Sequence, residues 1–151
     1  MIFDQILVTT DFSEHSKVAF DIATYQAKLC KAKITLINVS EPFEVPAVLT
    51  KQLNDPEHLK TLRANYETAV LTELEKLAAD SFHRMEVESV AVFSDKSPAN
   101  IVADYAREHG FGLIVISSHG RGALSSMLMG SVAQKVIHSA DCPVMVCPAK
   151  E

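Results

Sequence analysis

Residues 113–132 read LIVISSHGRGALSSMLMGSV, and this stretch decides the fold. Leu113-Ile114-Val115-Ile116 is a short, largely β-branched apolar run with the composition of a strand buried on both faces. Ser117-Ser118-His119-Gly120-Arg121-Gly122 follows as a small polar loop. Gly130 then precedes Ser131 and the apolar-periodic run Val132, Val136, Ile137, the pattern of a helix entered through Gly-Ser. Strand, glycine loop and helix N-terminus in that order suggest an anion site. Glycines let the backbone approach a phosphate, and the free N–H groups of a first helical turn point at it. No Asp or Glu lies from Ser117 to Ser139, while Arg121 and Lys135 do, a local balance that suits a polyphosphate. The spacing is neither GxxxxGK[ST] nor GxGxxG. On spacing alone, plain turn chemistry is the competing reading.

Outward from that stretch the chain alternates strands and helices. Gln5-Ile6-Leu7-Val8-Thr9-Thr10 reads as a first buried strand, ending at Asp11-Phe12-Ser13-Glu14, where Asp or Ser can cap the next helix. Val18, Ala19, Ile22, Ala23 and Leu29 recur at helical spacing. Ile34 to Val39 is a second strand, and Asn54-Asp55-Pro56 opens a helix with Leu59, Leu62, Tyr66, Ala69, Val70, Leu74 and Leu77 on one stripe. That stripe lacks a sustained heptad and reads as core packing rather than a coiled coil. Glu86 to Phe93 alternates as a third strand, and Ser97-Pro98 begins a helix that stops near His109-Gly110. Val144-Met145-Val146-Cys147 is the fifth strand. The alternation specifies an α/β domain with a parallel sheet and right-handed crossovers that put helices on both faces.

A chain of 151 residues is one domain, large enough for a proper core, and 48% hydrophobic residues exclude a disordered one. The apolar runs are too short to span a membrane, and Met1 to Gln5 lacks the features of a signal peptide. A cytoplasmic protein is expected. The net charge of −5, without a basic stripe interleaved with aromatics, argues against nucleic acid as partner. Cys30, Cys142 and Cys147 have no CxxC or zinc-ligand spacing and read as reduced thiols. The six histidines show no HxxxH or HExxH pattern, so no metal site is expected from the protein itself.

The glycine pattern resembles the signature of the universal stress protein family: a glycine, two residues, a glycine, nine residues, then Gly-Ser or Gly-Thr. Gly120, the nine residues from Arg121 to Met129, and Gly130-Ser131 match it, as do Ser118-His119-Gly120-Arg121 and Cys142-Pro143-Val144-Met145-Val146. Ser117 stands where the pattern has its first glycine. The likeness runs through nearly the whole chain, so residues 1–151 are expected to form one universal stress protein domain. It implies a doubly wound, Rossmann-like, five-stranded parallel sheet in the order 3-2-1-4-5, of the adenine nucleotide alpha hydrolase kind. A crevice then opens outside the C-terminal ends of strands one and four, where such sheets bind ligands.

The resemblance also implies an ATP site. Thr10 and Asp11 would border the adenine, with Val39 closing an apolar wall. Ile116 and Ser117 would lie under base and ribose. Gly120 and Arg121 would meet the phosphates, and Gly130, Ser131 and Val132 would offer N–H groups and a hydroxyl. Mg2+ or Mn2+ would accompany the phosphates, although no carboxylate cluster announces a dedicated protein site for it. Other departures are Thr9 for a proline, Asp95 for a glycine after the third strand, and Gly112 for an acidic residue. Asp95 near the rim would disfavour anions. Asp11 and Ser131 have a second reading as helix caps, and Arg121 as a solvated charge. Ser117, Ser118 and His119 do not read as a nucleophilic set, because no GxSxG elbow occurs and adjacent residues of an extended segment point opposite ways.

The fifth strand is wholly apolar between Pro143 and Pro148, which is hazardous for an exposed edge. Pairing with the same strand of a second copy would cover it, and the family likeness points to the same homodimer. The expected activity is that of a stress-response sensor or regulator read by a protein partner the sequence does not identify. Its rivals are a slow ATPase, for which the loop offers no base, lysine or metal-binding carboxylate pair, and a member without nucleotide that acts through protein contacts.

Overall fold

The computed structural model describes residues 3–45, 55–83, 85–120 and 129–148. Its five strands are β1 (Gln5–Thr9), β2 (Lys33–Ser40), β3 (Val87–Phe93), β4 (Leu113–Ser117) and β5 (Val144–Cys147). Its helices are α1 (Val18–Cys30), preceded by a short 3-10 turn at Glu14–Lys17, α2 (Pro56–Ser81), α3 (Pro98–Glu108) and α4 (Ser131–Ser139). All strand pairs are parallel, and the order is β3-β2-β1-β4-β5, as the family likeness implied. Ile6, Leu7 and Val8 of β1 lie opposite Leu113, Ile114 and Val115 of β4.

Strand side chains alternate between faces, which splits the core in two. Ile6, Val8, Ile34, Leu36, Leu113 and Val115 bury against Ala19, Phe20, Ala23 and Ala27 of α1 and Leu74 and Ala78 of α2. Leu7, Ile37, Ile114 and Ile116 bury against Ala99, Val102 and Ala106 of α3 and Ala133 and Val136 of α4. Consequently α1, which follows β1, and α4, which follows β4, occupy opposite faces. The chain leaves the two central strands in opposite directions, and a crevice opens between their ends.

Several apolar positions differ from the periodic reading. The contact of α1 with the sheet is a seam of alanines at 19, 23 and 27, so Ile22 and Leu29 turn outward at 38% and 62% exposure. On α2 only Leu74 and Ala78 are fully buried, and Ala69 is exposed. The helix covers the edge strand β3, where there is less sheet to bury against. On α4, Val136 is buried while Val132 and Ile137 are exposed. Gly112, where an acidic residue was expected, lies against Phe3, whose side chain would be 3.2 Å from an added Cβ.

Candidate functional site

The β1 end of the crevice is built from a tight hydrogen-bonded turn. Thr10 is buried, and its N–H extends the ladder to the Ile37 carbonyl at 3.0 Å. Its Oγ1 accepts the Phe12 N–H at 3.0 Å and lies 2.8 Å from Ser16 Oγ. The Thr10 hydroxyl therefore shapes the turn. Asp11 Oδ1 accepts the N–H and hydroxyl of Ser13, at 3.0 and 2.5 Å. Ser13 rather than Asp11 is the N-cap of the 3-10 turn, accepting the Ser16 N–H at 3.3 Å, and Asp11 orients Ser13. The other carboxylate oxygen faces Gly120, where an added Cβ would overlap it.

At the β4 end, Ile116, Ser117 and Ser118 are buried. Ser117 Oγ accepts the His119 N–H at 3.3 Å, so the serine that replaces the pattern's first glycine uses its hydroxyl to hold the loop. Ser118 donates its N–H to the Cys147 carbonyl and accepts the Gly130 N–H, both at 2.7 Å. Its Oγ lies 2.8 Å from His119 Nδ1. The chain is no longer extended here, which is why these neighbouring side chains meet despite the sequence expectation. Among the described residues, His119 Nε2 is buried with no hydrogen-bond partner.

Gly130, the N-cap of α4, makes no side-chain cap, and Ser131 is the first helical residue rather than the cap. The N–H groups of Ser131, Val132 and Ala133 belong to a first turn that has no intrahelical acceptors for them. Gly130 has little spare room: an added Cβ would stand 3.1 Å from the Ser118 carbonyl oxygen.

These segments border one open cleft of about 870 Å³, within the range of small-molecule sites. Thr10, Asp11, Val39, Ile116, Ser117, Gly120, Gly130, Ser131 and Val132 all line it. Arg121 lies outside the described residues. Asp95 is exposed and is not in the lining, because β3 is the far edge of the sheet. The carboxylates besides Asp11 that do reach the cleft are Glu41 and Glu73. Sequence reading also passed over Asn38, Tyr66, Val70, Val102 and His119 as lining residues. Asn38 carried a signal, a lone amide inside an apolar strand. It donates Nδ2–H to the Thr10 carbonyl at 2.9 Å and accepts the Ser40 hydroxyl at 2.6 Å. Tyr66, Val70 and Glu73 recur at i, i+4 and i+7 on α2, and nothing local separates them from core positions.

The cleft is chemically polarised. Gly120 and the start of α4 stand at the β4 side, with N–H groups suited to an anion. Val39, Tyr66, Val70, Glu41 and Glu73 stand on the β2 side, two strand spacings or roughly 10 Å away. A ligand with an anionic end and a flat apolar end matches that layout. Among the described residues no group of three His, Cys, Asp or Glu is placed to hold a metal ion.

The family model described as "Universal stress protein family" matches residues 2–148. The chain belongs to the universal stress protein family. Universal stress protein YxiE of Bacillus subtilis is 31% identical over 147 residues, which cover 96% of this chain and 99% of that protein. The solved structure of hypothetical protein MJ0577 superposes with a TM-score of 0.78 at 23% identity, covering 100% of this chain and 99% of that one. A universal stress protein in complex with cAMP superposes at 0.66 and 20% identity over 99% and 100% of the chains. A relative from Archaeoglobus fulgidus in complex with dAMP gives 0.58 and 22% over 97% and 99%. At these identities the structural likeness shows the shared fold. Among the described residues no helix of this universal stress protein is long and apolar enough to cross a membrane.

Proposed function

We propose that this universal stress protein binds ATP in the cleft between β1 and β4 and acts as a homodimeric regulator. The observation that carries the reading is the gathering of Thr10, Asp11, Val39, Ile116, Ser117, Gly120, Gly130, Ser131 and Val132 around one open cleft. The base lies against Val39 and Ile116, and the phosphates meet Gly120, Arg121 and the first turn of α4. Support comes from relatives with the same fold that were solved with cAMP and dAMP. Nucleotide binding biases the glycine loop, and a protein partner reads that state. The second copy pairs through Val144–Cys147.

One observation favours a second reading, that of a member working through protein contacts without nucleotide. The N–H groups of Ser118, His119 and Gly130 are all taken by the protein itself, which leaves fewer donors for phosphate.

The test is to denature the purified protein and identify the small molecules released. Retained ATP supports the regulator, and retained ADP and AMP point to turnover. No adenine nucleotide, even after saturation with ATP, leaves the contact-only reading. Gly130→Val forces a side chain against the Ser118 carbonyl and is expected to abolish nucleotide binding in a folded domain. Wild-type affinity in that variant would mean that the phosphate lies elsewhere.

A further inference from the structure

We propose that the outward face of α1 is a contact surface for a second copy of this chain, packed antiparallel across a twofold axis. The face shares no residue with the lining of the cleft. On its inner side α1 meets the sheet through Ala19, Phe20, Ala23 and Ala27, all of them buried. On its outer side stand Asp21, Ile22, Tyr25, Lys28 and Leu29, all exposed, with Val18 half-buried at the start. Tyr25 and Leu29 are 61% and 62% exposed. Apolar side chains exposed singly are ordinary, but a row of them along one helix forms a patch. Val18, Ile22, Tyr25 and Leu29 follow one another at spacings of four, three and four. That alternation is the one with which two helices interlock their side chains along a seam.

The charges select the occupant and its direction. Asp21 and Lys28 stand on one flank of the seam, about two helical turns apart. Among the described residues neither forms an ion pair. An antiparallel copy that sets Ile22 against Tyr25 of the second chain also sets Val18 against its Leu29, so one register matches all four apolar positions. In that register Asp21 of each copy comes beside Lys28 of the other. The surrounding charges agree. Lys31 and Lys33 are exposed just past the C-terminal end of α1, whereas Lys17 at the N-terminal end is neutralised by Glu14 at 2.6 Å. A parallel copy would bring Lys28, Lys31 and Lys33 against their own repeats, while an antiparallel one separates them and opposes the two helix dipoles. A single helix crossing of this length buries less than the roughly 1,200 Å² at which stable interfaces begin. The contact is therefore weak and fills at high protein concentration, independently of the β5 edge.

The experiment is sedimentation equilibrium of the full chain from micromolar to near-millimolar concentration. It compares wild type, Leu29→Glu, Asp21→Lys, Lys28→Asp and the double reversal Asp21→Lys with Lys28→Asp. All three positions are exposed, and thermal melting confirms that each variant is folded. The mean mass of the wild type is expected to at least double over its dilute value. Leu29→Glu should remove that rise. Each single reversal sets like charges together twice across the axis and should weaken the association about tenfold. The double reversal should restore it. A wild-type mass that stays constant means that the face does not take a second copy and overturns the proposal. So do a rise that survives Leu29→Glu, single reversals without effect, and a double reversal no tighter than the single ones.

Discussion

Gly120 and Asp11 illustrate how closely the two loops of the crevice are fitted at single residues. A methyl group at Gly120 would overlap the Asp11 carboxylate, and overpacking of this kind typically costs about 1–3 kcal/mol. Gly120→Ala is therefore expected to lower the urea midpoint. The same substitution should cost less in an Asp11→Ala background, and a double-mutant cycle measures that coupling. Equal costs in both backgrounds would mean the loops are not in contact. Cys147 supplies a pH-dependent counterpart. It is 2% exposed, and burial raises its thiol pKa above the ordinary value. The folded state then holds the proton more tightly than the unfolded chain. The associated stability is complete below the unfolded thiol pKa of about 8.5 and is lost as pH rises through the raised folded value. Melting temperatures between about pH 8 and pH 10 should fall more steeply for wild type than for Cys147→Ala.

At the scale of elements, the strands and helices were legible because their local chemistry agrees with their place. Ser97-Pro98 and Asp55-Pro56 begin helices in the sequence and in the structure. The stop at His109-Gly110 is a Schellman ending: Gly110 has φ +72°, and the Phe111 N–H reaches the Ala106 carbonyl at 2.9 Å. What local pattern could not tell was which way a helix's partly apolar flank turns. That depends on how much sheet lies beneath it, as Ala69 and Leu29 show. Asn38 was unread for a related reason, since its partner is a carbonyl distant in sequence, just past the end of β1. Its Nδ2–H satisfies the Thr10 carbonyl where β1 ends, tying β1 and β2 together at the floor of the cleft. Asn38→Leu leaves that carbonyl without its donor and should cost about 1–3 kcal/mol. Urea denaturation with an unchanged slope measures it, and a neutral result would show that the amide is dispensable to the strand pair.

For the whole molecule, the sheet order was legible only through family likeness, because strand order is a long-range property that no local window contains. The cleft follows from that order, so the gathering of the site residues was legible to the same degree, whereas Tyr66 and Glu73 come from a helix distant in sequence. The remaining whole-molecule question is how the β5 edge is covered. In a parallel ladder the N–H and C=O of one residue point to the same side. The Pro143 and Cys147 carbonyls accept the N–H groups of Ile114 and Ser118, so residues 143, 145 and 147 face β4. Val144 and Val146 then face outward, and Pro148 has no N–H to offer. Among the described residues the outer edge of β5 therefore presents two donors, enough for a short antiparallel pairing with a second copy and little else. Val146→Pro removes one of them without touching the bonds to β4, and an outward edge position is where a strand tolerates proline. If the second copy pairs there, sedimentation should show wild type as a dimer and Val146→Pro as a folded monomer. A variant that remains fully dimeric would place the contact between copies on another face, and a monomeric wild type would leave the edge guarded by its two prolines alone.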